Sequence, residues 1–244
     1  MRTYEPPRPS STHQLGEIVM FGYIERTLKK RLTKGLSRAL GRVRMELRLR
    51  HRHRSNLARA RSLAAERPIK LNLGSGPNRK AGWINVDLFS DSADAQLDLR
   101  EPWPFSEGSA SHVYSEHVFE HFEIHDDAPH FLAESFRVLE AGGIFDVGVP
   151  DTEWPLRAYG DPSNEYWSLA KRLWHPSWCQ TQLEHLNYHF RQDGEHQYAW
   201  DQVTLKGALE RAGFVQVAVR EFEADLDAVS RRIGTLYMRG HKPR

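Results

Sequence analysis

IKLNLGSG, residues 69–76, decides how this chain is read. It is a short apolar strand running into a Gly-Ser-Gly turn, and a turn without Cβ atoms lets the backbone approach a ligand closely. Many turns contain G-x-G, so the flanking sequence carries the weight. Downstream the chain offers strands at WINVDL (83–88), AQLDL (95–99), SHVYSEH (111–117), IFDVGVP (144–150), VQVAVREF (215–222) and GTLYMRGHK (234–242). Helical spacing of Phe131, Leu132, Phe136 and Leu139 predicts a helix over 128–143 that stops at Gly142–Gly143, and DQVTLKGALERAGF (201–214) reads as a second, with Gly213 near its C-cap. Strands alternating with helices predict an α/β fold, a doubly wound, mostly parallel seven-stranded sheet of Rossmann-like type.

Such sheets bind ligands at the C-terminal ends of their strands. Those ends carry Gly74–Gly76, Asp87, Asp98, Ser115–His117 and Pro150–Asp151, the polar and Gly-rich points of an otherwise apolar set. An acidic residue ending the second strand suits the hydroxyls of a ribose. A dinucleotide fingerprint would want a third glycine and an acid about 20 residues on. Here Arg79 stands at the third glycine position and Asp87 follows Gly76 by only 11 residues, so a nicotinamide dehydrogenase fits poorly.

LNLGSGPN, WINVDL, DLREPWPFSEGSASHVYSEHVFEHF and FLAESFRVLEAGGIFDVGVPD, in that order, resemble a class I S-adenosylmethionine-dependent methyltransferase. The likeness is strongest to small bacterial methyltransferases with an LNLGCGPN-type first motif and a SEHVLEH-type fourth motif. It covers residues 69–151 and, more loosely, EHLNYHF…HQYAWDQVTLKGALERAGF. The resemblance implies S-adenosylmethionine as cofactor. Gly74, Ser75 and Gly76 would lie under its methionine and ribose, and Asp87 would bind the ribose hydroxyls with Leu88 beside the adenine. Asp98 and Leu99 would stand at the adenine edge, and Ser115, Glu116 and His117 would line the methionine end and the acceptor side. Only about six residues separate GSG from the next strand, whereas a crossover helix needs a dozen or so. The first helix is therefore a stub, and part of the cofactor wall must come from elsewhere, with residues 151–200 as the candidate.

HVFEH (117–121) also spells H-x-x-E-H, a zinc-peptidase signature when it stands in mid-helix with a further ligand such as Glu184 downstream. Here it follows a strand directly, so zinc peptidase ranks as the third reading and no metal ligands are assigned. Glu120 and His121 read as supports of the loop after the strand, and His117 as a general base for the acceptor. Residues 151–200 form an aromatic, irregular insert, part core and part lid, with Tyr188, His189, His196 and Tyr198 facing the acceptor. His112, His125 and His130 read as surface or core residues.

The net charge of +2 divides unevenly: residues 1–67 carry +12 and the rest −10. Residues 1–14 are Pro- and Ser-rich, and Glu25 to about Ala65 reads as a helix with an apolar stripe of Leu28, Leu32, Leu36, Leu40, Val43 and Leu47 among arginines. The organisation expected is a basic N-terminal helical extension (1–67) ahead of a methyltransferase-like domain (68–244), with the boundary at Pro68. The basic stretch 26–67 suits an anionic membrane surface or a protein partner, ahead of nucleic acid. One cysteine, Cys179, excludes a disulfide framework and a Cys-rich zinc site and points to a reducing, cytoplasmic setting with membrane-peripheral attachment as its variant. No apolar run reaches the roughly 20 residues of a membrane span, and no signal peptide is legible. The function expected is methyl transfer to a small-molecule or glycan-type acceptor. The alternative is a non-catalytic domain that binds S-adenosylmethionine or S-adenosylhomocysteine and works through its basic arm.

Overall fold

The computed structural model describes residues 33–65 and 68–244. The expected helix start at Glu25, Leu28 and Leu32 of the stripe, and the Pro-rich stretch 1–14 lie outside the described residues. The first described element is α1 (Lys34–Leu63). It is followed by β1 (Ile69–Leu73), β2 (Ile84–Val86) and β3 (Ala110–Glu116), and then, after a short 3-10 turn at Phe119–His121, by α2 (Asp127–Val138) and β4 (Leu139–Pro150). Next come α3 (Glu153–Ala158), α4 (Glu165–Leu169), one π turn (Ala170–Trp174), α5 (Gln182–Arg191), α6 (Gln202–Arg211), β5 (Val215–Val219) and β6 (Thr235–His241).

The described strands form one six-stranded sheet in the order β2-β1-β3-β4-β6-β5. β1 through β4 pair in parallel, and β6 enters antiparallel between β4 and β5. The expected seventh strand, AQLDL, does not form: its single ladder contact is a bridge between Val86 and Ala95. It contributes Leu97 and Leu99 to the core as an irregular segment instead. The helix expected over 128–143 ends at Val138, because Leu139 turns extended and pairs with Ala110. The Gly142–Gly143 pair therefore lies inside β4.

β1 and β2 are joined without any helix, so the crossover is tied by side chains. Buried Asn72 donates to Asn85 Oδ1 at 2.9 Å, which also accepts the Lys80 N–H at 2.7 Å. The backbone and side-chain N–H groups of Asn85 in turn donate to Asp94 at 2.8 and 2.9 Å. A buried amide left unpaired costs about 1–3 kcal/mol, so this closed set fixes the turn where a helix would otherwise pack.

The main core joins sheet residues (Leu71, Val113, Phe145, Val147) to Phe131 of α2, Leu205 and Leu209 of α6, and Ala60 and Ala64 from the end of α1. The compact unit that carries the sheet is His51–Arg244, so its boundary falls within α1, ahead of Pro68. A second cluster in the aromatic insert is built from Ala158, Tyr166, Trp167, Ala170 and Leu186. Those aromatics are core, whereas Tyr159 and Trp178 are exposed. The insert thus carries both buried and exposed aromatics.

Candidate active site

The C-terminal ends of β1 and β2 meet in a tight knot. Gly74 stands at φ +66°, and a Cβ there would fall 2.0 Å from Val118 Cγ2, so glycine lets the loop after β3 close directly over the turn. The Gly76 N–H donates to Asp87 Oδ2 at 2.8 Å, while Asp87 Oδ1 accepts the N–H groups of Phe89 and Ser90 at 2.8 and 2.7 Å. Asp87 thus shapes both the glycine turn and its own. An ionised carboxylate offers about four acceptor positions, which leaves roughly one for a ligand hydroxyl. The hydroxyls of Ser75 and Ser115, both buried at strand ends, have no hydrogen-bond partner. The open space beside Gly76, where a Cβ would meet nothing within 4 Å, and two buried unsatisfied hydroxyls fit a polar cofactor lying across the ends of β1 and β3.

The segment beyond β2 is held by α1. Arg52 donates to the Leu88 carbonyl at 3.0 Å, His53 Nδ1 accepts the Asp98 N–H at 3.2 Å, and Asn56 Oδ1 accepts the Gln96 N–H at 3.3 Å. Asp98 is buried, which by itself would raise its pKa, but a fork from Arg100 at 2.8 and 3.0 Å holds it below the ordinary carboxylate range. Leu99 is buried, and its carbonyl accepts the Trp103 indole N–H at 3.1 Å. The sequence reading missed Arg52, His53 and Asn56 because they sit in a stretch whose arginine content marks it as an outlying arm. The signal available was Leu57, Ala60 and Ala64 at helical spacing.

At the end of β3 the side chains diverge. Glu116 turns to the polar face of the sheet, where the Tyr237 hydroxyl donates to Oε1 at 2.8 Å and Arg231 donates to its carbonyl at 2.7 Å. Gly148 makes this possible, since a Cβ there would lie 2.9 Å from the Tyr237 ring. Glu116 was expected at the methionine end; its carboxylate is committed to Tyr237 instead. His117 adopts φ +56°, its N–H donates to the Gly148 carbonyl at 2.8 Å, and its Nε2 lies 2.8 Å from Thr235 Oγ1. Burial, with Arg231 and neighbouring imidazoles adding to it, holds its pKa well below the usual histidine value, so the ring is neutral.

His117 and His196 help line a cavity of about 310 Å³, together with Pro150, Tyr188, His189 and Arg231. Of the four expected acceptor-facing residues, three meet here. Tyr198 does not: its ring packs 4.6 Å from that of Trp200 in the core. His112 pairs with Asp146 at 2.7 Å on the opposite stretch of the sheet, and His125 is exposed.

H-x-x-E-H does not form a peptidase site. His117 precedes the 3-10 turn, so it and His121 do not share a helical face. Glu184 is spent on the capping box of α5, accepting the N–H groups of Gln180 and Thr181 at 2.8 and 2.9 Å. Glu120, however, does more than hold a loop. It is 2% exposed and neither carboxylate oxygen has a hydrogen-bond partner, so burial pushes its pKa up to about 8. Its carbonyl accepts the N–H groups of Gln197 and Tyr198 at 2.8 and 3.2 Å, which brings His196 against His121.

Residues 71–147 match the sequence model of a family described as a methyltransferase domain. That stretch spans β1 to β4 with the glycine turn, Asp87 and the 117–121 segment. By that match the stretch, about a third of the chain, is similar to a methyltransferase domain. Similar solved structures include an S-adenosylmethionine-dependent methyltransferase from Archaeoglobus fulgidus, at 17% identity over 81% of this chain and 98% of that one with a TM-score of 0.47. Another, from Thermotoga maritima, is 16% identical over 84% and 95% with a TM-score of 0.43. Haemonchus contortus phosphoethanolamine N-methyltransferase 2, bound to S-adenosyl-L-methionine, is 14% identical over 78% of this chain and 53% of its own, with a TM-score of 0.43. No curated protein matches the chain.

Proposed function

We propose that this protein transfers a methyl group to a small polar acceptor, a small molecule or glycan-type metabolite, held in the cavity beside His117. The observation that carries the reading is the placement of two dissimilar sites on one set of strand ends. Buried, unpartnered Ser75 and Ser115 and the glycine turn mark one. The cavity lined by imidazole, phenol and guanidinium groups marks the other. Bound S-adenosylmethionine supplies an electrophilic methyl group on a sulfonium, a reaction in which in-line positioning provides most of the rate gain. Asp87 and the glycine turn hold the ribose side, and the buried hydroxyls of Ser75 and Ser115 orient the polar methionine end. Tyr188 and His189 clasp the acceptor through its polar groups, with His196 beside them in the cavity wall. His117, fixed by Thr235, is the group in the cavity wall placed to orient the acceptor and take its proton.

The test is transfer of label from methyl-labelled S-adenosylmethionine to panels of hydroxylated and aminated metabolites and short glycans. A labelled small-molecule product is expected, with His117→Asn lowering kcat by roughly ten-fold to a hundred-fold, in the range of general-base effects, while KM changes little. Tight S-adenosylhomocysteine binding without label transfer to any acceptor would favour a binding domain over an enzyme.

A further inference from the structure

A buried carboxyl with neither oxygen hydrogen-bonded either holds a proton or sits beside a cation that displaces it. Glu120 is such a carboxylate. The cation nearest in character, Arg231, is committed to the Glu116 carbonyl at 2.7 Å. What surrounds Glu120 is imidazole. His121 Nε2 lies 4.0 Å from its Oε1, His117 Nδ1 lies 3.6 Å from the same oxygen, and the ring centroid of His196 stands 5.0 Å from that of His121.

The orientation of the two rings on either side of the turn is informative. His121 Nδ1 lies 3.1 Å from the Glu195 carbonyl and His196 Nδ1 lies 3.0 Å from the His189 carbonyl. A carbonyl only accepts, so both Nδ1 atoms carry the proton and both Nε2 atoms present lone pairs. A ring N–H given to a backbone carbonyl is the arrangement that fixes the tautomer and aim of metal-ligating histidines. Ligating atoms of Glu120, His121 and His196 already lie within 4.8 Å of one another.

We propose that Glu120, His121 and His196 bind a divalent first-row transition ion, with its open coordination positions toward the cavity that His117 and His196 line. Two imidazoles and one carboxylate are a donor set suited to such ions, and three protein ligands leave room for water or substrate. This puts the H-x-x-E-H stretch to a use different from the peptidase one: Glu120 is a ligand rather than a base, and the third ligand comes from the segment before α6. That the ion would meet the oxygen or nitrogen of an acceptor rests on the methyl-transfer reading; the site itself does not.

A second His/Cys cluster, His175, Cys179 and His185, serves as the internal contrast. There the two Nδ1 atoms lie 2.8 Å apart and bond to each other, and the Cys179 thiol donates to the Glu184 carbonyl at 3.8 Å. Those groups satisfy one another and leave no orphan.

The experiment is titration of chelator-treated, untagged full-length protein with Co²⁺ and Zn²⁺, with S-adenosylhomocysteine binding read by calorimetry on the same sample. One Co²⁺ per chain is expected, with visible ligand-field absorption and no thiolate charge-transfer band, displaced by Zn²⁺. Glu120→Gln and His196→Asn should each weaken it ten-fold or more with unchanged circular dichroism, while Cys179→Ser leaves it as it is. Folded protein that takes up no stoichiometric metal overturns the site, whether or not it binds S-adenosylhomocysteine. So does uptake that survives both Glu120→Gln and His196→Asn, or that is lost with Cys179→Ser. Loss of S-adenosylhomocysteine binding alone would count against the methyltransferase site and leave the metal site standing.

Discussion

At the scale of single residues, Asp87 and Gly74 carry the most testable chemistry. Asp87 accepts three backbone N–H groups across the glycine turn and the loop after β2. Asp87→Ala removes charge-assisted bonds worth about 1.5–3 kcal/mol each where buried. It should therefore weaken S-adenosylhomocysteine several-fold or more, as read by calorimetry, and lower stability in urea by about 2 kcal/mol. Gly74→Ala meets both a positive φ and Val118, so it should cost about 1–3 kcal/mol in backbone strain alone and reduce cofactor affinity as the turn opens. An unchanged urea midpoint would contradict both the strain at this position and its closure by Val118.

At the scale of elements, β4 is held to its neighbours by one buried charge. Asp146, with register partners Tyr114 on β3 and Arg239 on β6, is fully buried. It accepts from Arg220 at 2.6 Å and from Arg239 at 2.9 and 3.0 Å, and Arg220 reaches on to Asp227 at 2.6 Å. Burial alone would raise the Asp146 pKa, but His112, Arg239 and Arg220 outweigh it and hold the carboxyl below its ordinary range. The folded-state pKa lies below the unfolded one. The stabilisation is thus complete above the unfolded value of about 3.9 and is lost as pH falls through the lower folded value. Urea midpoints should therefore drop below about pH 4 in the wild type, with a shallower fall in Asp146→Asn. That variant leaves Arg220 paired with Asp227 and Arg239 with Glu223, and should be less stable at pH 7 by about 1.5–3 kcal/mol, the loss of charge-assisted bonds.

The elements also show what was legible. Strand ends and glycine turns follow local rules, so β1, β3 and the position of Gly74–Gly76, Asp87 and Ser115–His117 at strand ends could be read directly. AQLDL reads as a strand by composition, but tertiary ties through Asn85, Asp94 and the α1 residues replaced a ladder. The end of α2 was misread because a Gly-Gly pair suits a strand entry as well as a helix stop. Direction of side chains was not legible: Glu116 and Ser115 are adjacent in sequence, yet alternate to opposite faces. The pairing of His121 with His196 needed the backbone bonds from Glu120 to Gln197 and Tyr198, which no spacing announces.

At the scale of the whole molecule, α1 begins in one compact unit and ends in the other. Its C-terminal part belongs to the unit that carries the sheet, so Ala60→Arg should cost about 3 kcal/mol or more by overpacking and burying a charge, whereas Leu40→Ser should stay within about 0.5 kcal/mol. Residues 34–50 carry six Lys/Arg and one Glu, with Leu36, Leu40, Val43 and Leu47 exposed. No helix among the described residues is long and apolar enough to cross a membrane. A cationic helix of this kind is expected to bind phosphatidylserine-containing vesicles in a salt-sensitive way and to ignore neutral ones. Co-sedimentation at two salt concentrations checks this, and equal binding to neutral vesicles would contradict it.

The central claim is that the ends of β1, β2 and β3 hold S-adenosylmethionine. Calorimetric titration of the full chain with S-adenosylhomocysteine tests it most directly. The expected result is one site per chain, weakened several-fold or more by Asp87→Ala in protein whose circular dichroism is unchanged. Absence of binding by folded wild-type protein, or an affinity indifferent to Asp87, would contradict it.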